Sequence, residues 1–227
     1  MKKAAILITG MYREFAEVRN KWCDIEQFYD CDYYMSTWDS SSQKYEDCDA
    51  YKEFDVTPDM ITDYLPKCVF EILNQKEIFP INPSSTQNYV FYHWKNAYRL
   101  MEESNKKYDI VFLIRTDAPI TIDAQDTKFL NDWVDNHPDV LYSHSHMFVY
   151  QVNPFMFHAC EEFQVGSPKI MGKLIKTMPD MTDINIQLRS HIDLAAHMIS
   201  VGLCPSSSIP FAAHFEGNRP YQKIIKH

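Results

Sequence analysis

Glycine is scarce, with five in 227 residues. A residue that tolerates left-handed backbone is then reserved for places that need it, which makes Gly10, Gly166 and Gly217 informative positions. Neither the repeated glycines of a dinucleotide fingerprint nor those of a P-loop are present. The six cysteines, Cys23, Cys31, Cys48, Cys68, Cys160 and Cys204, form no C-x-x-C pair, which weighs against a zinc knuckle or a redox pair. Without a secretory signal they read as reduced, mostly buried thiols. Positive charge is also in short supply: 22 Lys and Arg against 31 Asp and Glu leave a formal net charge of -9. Binding to a nucleic-acid backbone depends on many Lys and Arg displacing counterions, so no such partner is expected, whereas a few placed arginines suffice for a small anion. No apolar run reaches the length of a membrane span, and the run at 4–8 behind Lys2 and Lys3 is too short for a signal-peptide core. A soluble, cytoplasmic protein is the expectation.

What remains is a chain that can build a large core. Hydrophobic residues make up 45% and aromatic residues 14%, with 23% charged for the surface, a globular composition. Nothing resembles a linker, so one domain over 1–227 is expected. The apolar run before Thr9-Gly10 reads as a strand and a tight turn. Phe15, Val18, Trp22, Ile25 and Phe28, three and four apart, read as the helix that follows. Residues 31–38 read as a second strand, and the polar stretch 40–57 as a surface loop or flap. Thr57-Pro58 marks a helix start, residues 68–73 a third strand, and residues 87–105 the longest helix, with Trp94, Ala97, Tyr98 and Met101 on one face. The nearly continuous apolar run 109–115 is expected to be the central strand of a parallel sheet covered on both faces. A short helix near Phe129, an alternating strand at 140–150, a helix opened by Ser167-Pro168 and one capped by Asp183 follow. Strands alternating with helices predict an α/β fold with a mostly parallel sheet flanked by helices. In such a sheet ligands bind at the carboxyl ends of the strands.

The polar residues delivered to that edge are Thr9, Gly10 and Arg13, then Asp39, then Arg115 and Asp117. Arg115 and Asp117 are two apart and share one side of their strand, where a cation and a carboxylate can face a phosphate with its metal. A simple salt bridge at the strand end is the alternative reading. Asp109, eight residues from Asp117, belongs to the opposite end, ~26 Å away. The Gly10 turn opens a helix, where free amides favour an anion. His144 and His146, with period two, are a candidate metal pair, and Glu161 and His214 are candidate bases. Arg219 with Glu216 lies in a tail that would close over a diphosphate.

In their order these segments resemble the GT-A-type glycosyltransferases of bacterial surface-polysaccharide clusters and of phage and large-virus genomes. The resemblance rests on Thr9-Gly10-Met11-Tyr12-Arg13, on Thr37-Trp38-Asp39, on Tyr108 to Val111 leading into Arg115-Thr116-Asp117, and on Glu161, Phe163, Gly166 and Ser167. Leu113 stands where the pattern has a first arginine, and Glu161 where it has Asp. The resemblance implies a Rossmann-like GT-A core, a nucleotide-sugar donor, a glycan acceptor, and Asp117 as ligand to Mn or Mg. On the resulting transferase reading, 1–120 is a nucleotide-binding half and 121–227 an acceptor-side half and tail, Thr9, Gly10, Arg13, Asp39, Arg115 and Arg219 are the expected cofactor contacts, and Asp117 with Glu161 or His214 the expected catalytic residues. Two other readings stay open: a non-catalytic relative that binds protein through its acidic loop, and a metal-dependent phosphohydrolase using Asp117 with His144 and His146.

Overall fold

The computed structural model describes residues 1–13, 15–20, 23–44, 51–83, 85–118, 122–137, 141–143, 163–183, 185–186, 190–203 and 205–206. The first apolar run forms β1 (Lys2–Thr9), whose residues from Ala4 to Ile8 are entirely buried. β2 (Tyr29–Trp38) lies parallel on one side of it and β6 (Ile110–Arg115), the middle strand of the sheet, parallel on the other. β5 (Val69–Leu73) pairs parallel with the outer edge of β2. Beyond β6 come β8 (Phe163–Gly166), β7 (Leu141–Ser143) and β9 (Pro205–Ser206), completing a seven-stranded sheet of order β5-β2-β1-β6-β8-β7-β9. Only β8 runs against the rest, antiparallel to both β6 and β7. The expected mostly parallel α/β sheet is therefore present, with one reversed strand inserted.

Alternation along the strands assigns side chains to two cores, as a period of two requires. Ala4, Ile6, Ile8, Ile110, Phe112 and Ile114 face one layer, which contains α1 (Phe15–Arg19), α2 (Cys23–Phe28), α3 (Pro58–Thr62) and α6 (Ala124–Asn136). Ala5, Leu7, Val111 and Leu113 face the other, built from α5 (Gln87–Glu103), α7 (Pro168–Lys176) and α8 (Ser190–Ser200). α4 (Gln75–Ile78) is a single turn ahead of α5, its Asn74 side chain accepting from the amide of Glu77 at 3.0 Å.

Four expectations need correction. The stretch 40–57 holds an antiparallel hairpin, β3 (Ser40–Lys44) with β4 (Tyr51–Asp55), because Asp39 anchors its base: the Asp39 amide donates to the Leu73 carbonyl and its carbonyl accepts from Val56, both at 2.8 Å. The helix after Gly10 is two short segments, α1 and α2. β8 has no counterpart among the expected strands, since four buried residues are too few to display a period. Asp183 does not cap α8, which begins at Ser190; its carboxylate instead accepts from the amide of Asn185 at 2.9 Å in a local turn. α8 does stop at Gly202 as expected. Leu203 donates to the Met198 carbonyl and Gly202, at φ +71°, to that of Ile199, the paired bonds of a Schellman motif. Of the cysteines, Cys31 and Cys68 are half-buried free thiols whose burial pushes their pKa up to about 12, which keeps them protonated. Among the described residues no helix is long and apolar enough to cross a membrane.

Candidate active site

The chain leaves β1 toward β2 and, later, leaves β6 through α6 toward β7 on the opposite side, so the connections part between the carboxyl ends of β1 and β6. That divergence opens a crevice at the edge where α/β sheets take their ligands. Thr9 and Arg115 stand opposite each other in the last register of the β1–β6 pair. The two turns beyond them are tied together: the Thr116 amide donates to the Thr9 carbonyl at 3.1 Å, and the Thr116 hydroxyl to the Met11 carbonyl. Gly10 takes φ +112°, a conformation closed to L side chains, while its amide donates to the Ser36 carbonyl of β2 at 3.2 Å. A side chain there would meet nothing closer than 3.6 Å, so the glycine answers to backbone angle and not to crowding.

Arg13 is also left-handed, with φ +31°. A non-glycine residue in that region costs about 1–2 kcal/mol, so something must hold it. The hold comes from the hairpin: Ser41, wholly buried, accepts the Arg13 amide on its Oγ at 2.8 Å. Tyr12 beside it donates to the Met60 carbonyl at 2.6 Å and meets Phe54 edge to face at 6.4 Å. So fixed, Arg13 brings its Nη1 to 3.2 Å from Asp117 Oδ2, and Arg115 brings Nε to 2.5 Å from Oδ1. The Asp117 side chain is 6% exposed, Arg115 14% and Arg13 47%, so the carboxylate lies deepest and Arg13 faces solvent.

Of the residues expected to bind or react, the structure thus brings together Gly10, Arg13, Arg115 and Asp117. Thr9 borders them but is buried, its hydroxyl donating to the Ile114 carbonyl at 3.4 Å. Asp39 lies at the same edge, after β2, next to the hairpin base. Glu161, His214, Arg219, His144, His146 and Glu216 lie outside the described residues. Leu113 is completely buried in the α5–α7 core, so the arginine it replaces in the GT-A pattern is replaced at a core position. The anion preference expected from a helix start has little behind it, since α1 has five residues and a short helix carries little dipole. The arginines are the stronger anion attractors.

Two contributors were not legible from spacing. Ser41 stood in a serine run with no period. Below the Gly10 turn, Ser36 contacts His93 Nδ1 at 2.7 Å and accepts from Asn96 at 3.0 Å; Asn96 also donates to Glu71 at 2.9 Å and accepts from Arg99 at 2.9 Å. Burial drives the His93 pKa down to about 3, so His93 is neutral. The available signal was polar residues on the inner face of α5, where His93 and Asn96 interrupt an apolar stripe.

Whether Asp117 fits a divalent cation is answerable from its partners. Mn and Mg bind carboxylate oxygens, usually through one or two carboxylates together with substrate phosphates. Here each Asp117 oxygen accepts from a guanidinium. A dication entering beside either arginine meets repulsion of about 4 kcal/mol per unit of its charge at ~4 Å. The described side chains do not fit Mn or Mg and instead form an arginine-bracketed carboxylate.

Neither a family model nor a curated protein sequence matches the chain. Among solved structures, 4-diphosphocytidyl-2C-methyl-D-erythritol synthase overlaps it with TM-score 0.54 at 10% identity, covering 98% of this chain and 96% of that one. Galactosyltransferase LgtC, in complex with donor and acceptor sugar analogues, overlaps with TM-score 0.48 at 9% identity over 89% and 73% of the two chains. The second overlap is too loose to support an inference. Together with the strand order, the first shows the fold alone, an α/β architecture with a mostly parallel sheet flanked by helices.

Proposed function

We propose that the crevice between β1 and β6 binds a nucleotide sugar and that the protein transfers the glycosyl group to a glycan acceptor. The observation that carries this reading is the convergence of Arg13 and Arg115 where the sheet connections diverge, beside the left-handed turn at Gly10. The overlap with a synthase whose name contains a diphosphocytidyl group supports a nucleotide ligand for this fold. Planar guanidinium groups match phosphate oxygens in paired hydrogen bonds, and charge stabilisation is what a departing diphosphate requires. In the transfer, an acceptor hydroxyl oxygen bonds to the anomeric carbon as the bond from that carbon to the phosphate oxygen breaks. The electron pair leaves with the nucleoside diphosphate, and the hydroxyl proton passes to a base.

Glu161 is the first candidate for that base. It stands two residues before Phe163 in the sequence, and Phe163 is paired with Ile114 at the carboxyl end of β6. His214 is the second candidate, and Arg219 a candidate contact to the diphosphate. Asp39, which follows β2 at the same sheet edge, is the candidate contact to ribose or base.

A coupled assay that detects released nucleoside diphosphate, run over a panel of nucleotide sugars with mixed oligosaccharide acceptors, tests the reading. Release that rises with acceptor and falls at least tenfold in Arg115→Leu and in Glu161→Gln is expected. A protein that binds these donors but never releases the diphosphate is a binding module and not a transferase.

A further inference from the structure

Resting on that nucleotide-sugar reading, we infer that the diphosphate is held by Arg13 and Arg115 without a divalent cation, and that Asp117 is a positioning residue that aims the two guanidinium groups. Three features carry this. Asp117 accepts from Arg115 on one oxygen and from Arg13 on the other, so its carboxylate is turned to cations the chain itself supplies. The depth order is the reverse of a metal site open to an incoming ligand: the carboxylate is 6% exposed and Arg13 47%. An anion arriving from solvent meets a guanidinium first. The third feature is the construction around Arg13, whose left-handed backbone is held by buried Ser41. A strained residue kept by a dedicated hydrogen bond marks a group whose position matters. Two guanidinium groups carry the same formal charge as one Mn or Mg ion and add directional donors, which suits them to a leaving group spread over several oxygens.

The test is calorimetric titration of the full chain with UDP, GDP, CDP and ADP, in EDTA and again in Mn²⁺, on wild type, Arg13→Gly and Asp117→Asn. The expected result is that one nucleotide binds in EDTA with a Kd within threefold of its value in Mn²⁺. Arg13→Gly weakens it at least tenfold under both conditions, and Asp117→Asn keeps it within tenfold with no dependence on the metal. Binding that requires Mn²⁺ and disappears in Asp117→Asn overturns this inference while leaving the nucleotide reading intact. If none of the four diphosphates binds under either condition, the nucleotide reading falls and this inference with it. Chain folding in each variant is checked by its thermal transition, so a lost signal is not mistaken for an unfolded protein.

Discussion

Arg13 carries opposing demands in one residue. Its φ of +31° is strained for any side chain, yet its guanidinium is the most exposed cation of the crevice. Replacing it with glycine relieves about 1–2 kcal/mol of backbone strain. Against that stand about 0.4–1 kcal/mol of unfolded-state entropy and about 1 kcal/mol for an ion pair whose arginine is half-exposed and whose carboxylate keeps its second partner, Arg115. Arg13→Gly is therefore predicted to stay within about 1 kcal/mol of wild-type stability in urea denaturation while losing diphosphate affinity. A large loss of stability would show that the residue is structural. His93 makes a second residue-scale prediction. As a buried base depressed to about 3, it is neutral in the folded protein and gains a proton on unfolding. The unfolded chain then holds more protons from pH ~6.5 downward, so stability falls as the pH is lowered, by up to about 1.4 kcal/mol per pH unit. The carboxylates of Asp32 and Glu71, held low chiefly by hydrogen bonds from Lys106 and Arg99 against the opposing effect of their burial, act in the same direction only at lower pH. Between pH 6.5 and 5 the contribution of His93 is read as the difference between wild type and His93→Phe, and the variant is expected to show the flatter slope. An unchanged slope would mean that the imidazole is not buried neutral.

At the scale of elements, α5 and α7 meet at a point with no spare room. A methyl group added at Gly172 of α7 would lie 2.5 Å from the Tyr98 hydroxyl of α5. Helix propensity favours alanine over glycine by about 1 kcal/mol, while overpacking costs about 1–3 kcal/mol. Gly172→Ala is predicted to destabilise the protein by roughly 1–2 kcal/mol, and Tyr98→Phe in the same chain to recover most of it, because the hydroxyl is the atom struck. Independent losses that simply add would contradict the contact. The same scale shows what could be read beforehand. β1 and β6 announced themselves as unbroken apolar runs because both faces are covered, and α7 announced itself by Ser167-Pro168, whose hydroxyl accepts the Ile170 amide at 3.3 Å. The β3–β4 hairpin did not: its strands carry serine and charge, and it is specified by backbone pairing and by the anchor at Asp39, neither of which leaves a hydropathy period. The start of α8 was missed because the residues after Asp183 continue an apolar spacing that the local Asp183–Asn185 turn interrupts.

Across the whole molecule, topology turns scattered sequence positions into a site. Gly10, Arg13, Arg115 and Asp117 span more than 100 residues of chain and meet only because β1 and β6 are neighbours whose connections part. The sheet edge was legible from the alternation of strands and helices, and so were the residues standing on it. Their mutual arrangement was not, since spacing alone allowed Asp117 to face either a metal or Arg115. Side-chain contact resolves that choice, and contact depends on the turns that Thr116 and Ser41 hold in place.

The central claim, that this crevice takes a nucleoside diphosphate, is tested most directly by thermal unfolding with UDP, GDP, CDP and ADP. A ligand specific to the folded state adds about 2.7 kcal/mol at a concentration one hundred times its Kd. The account predicts that one of the four raises the transition temperature of the wild type and, at the same concentration, raises that of Arg13→Gly by no more than about half as much. No shift with any of them, or an equal shift in both proteins, would contradict it.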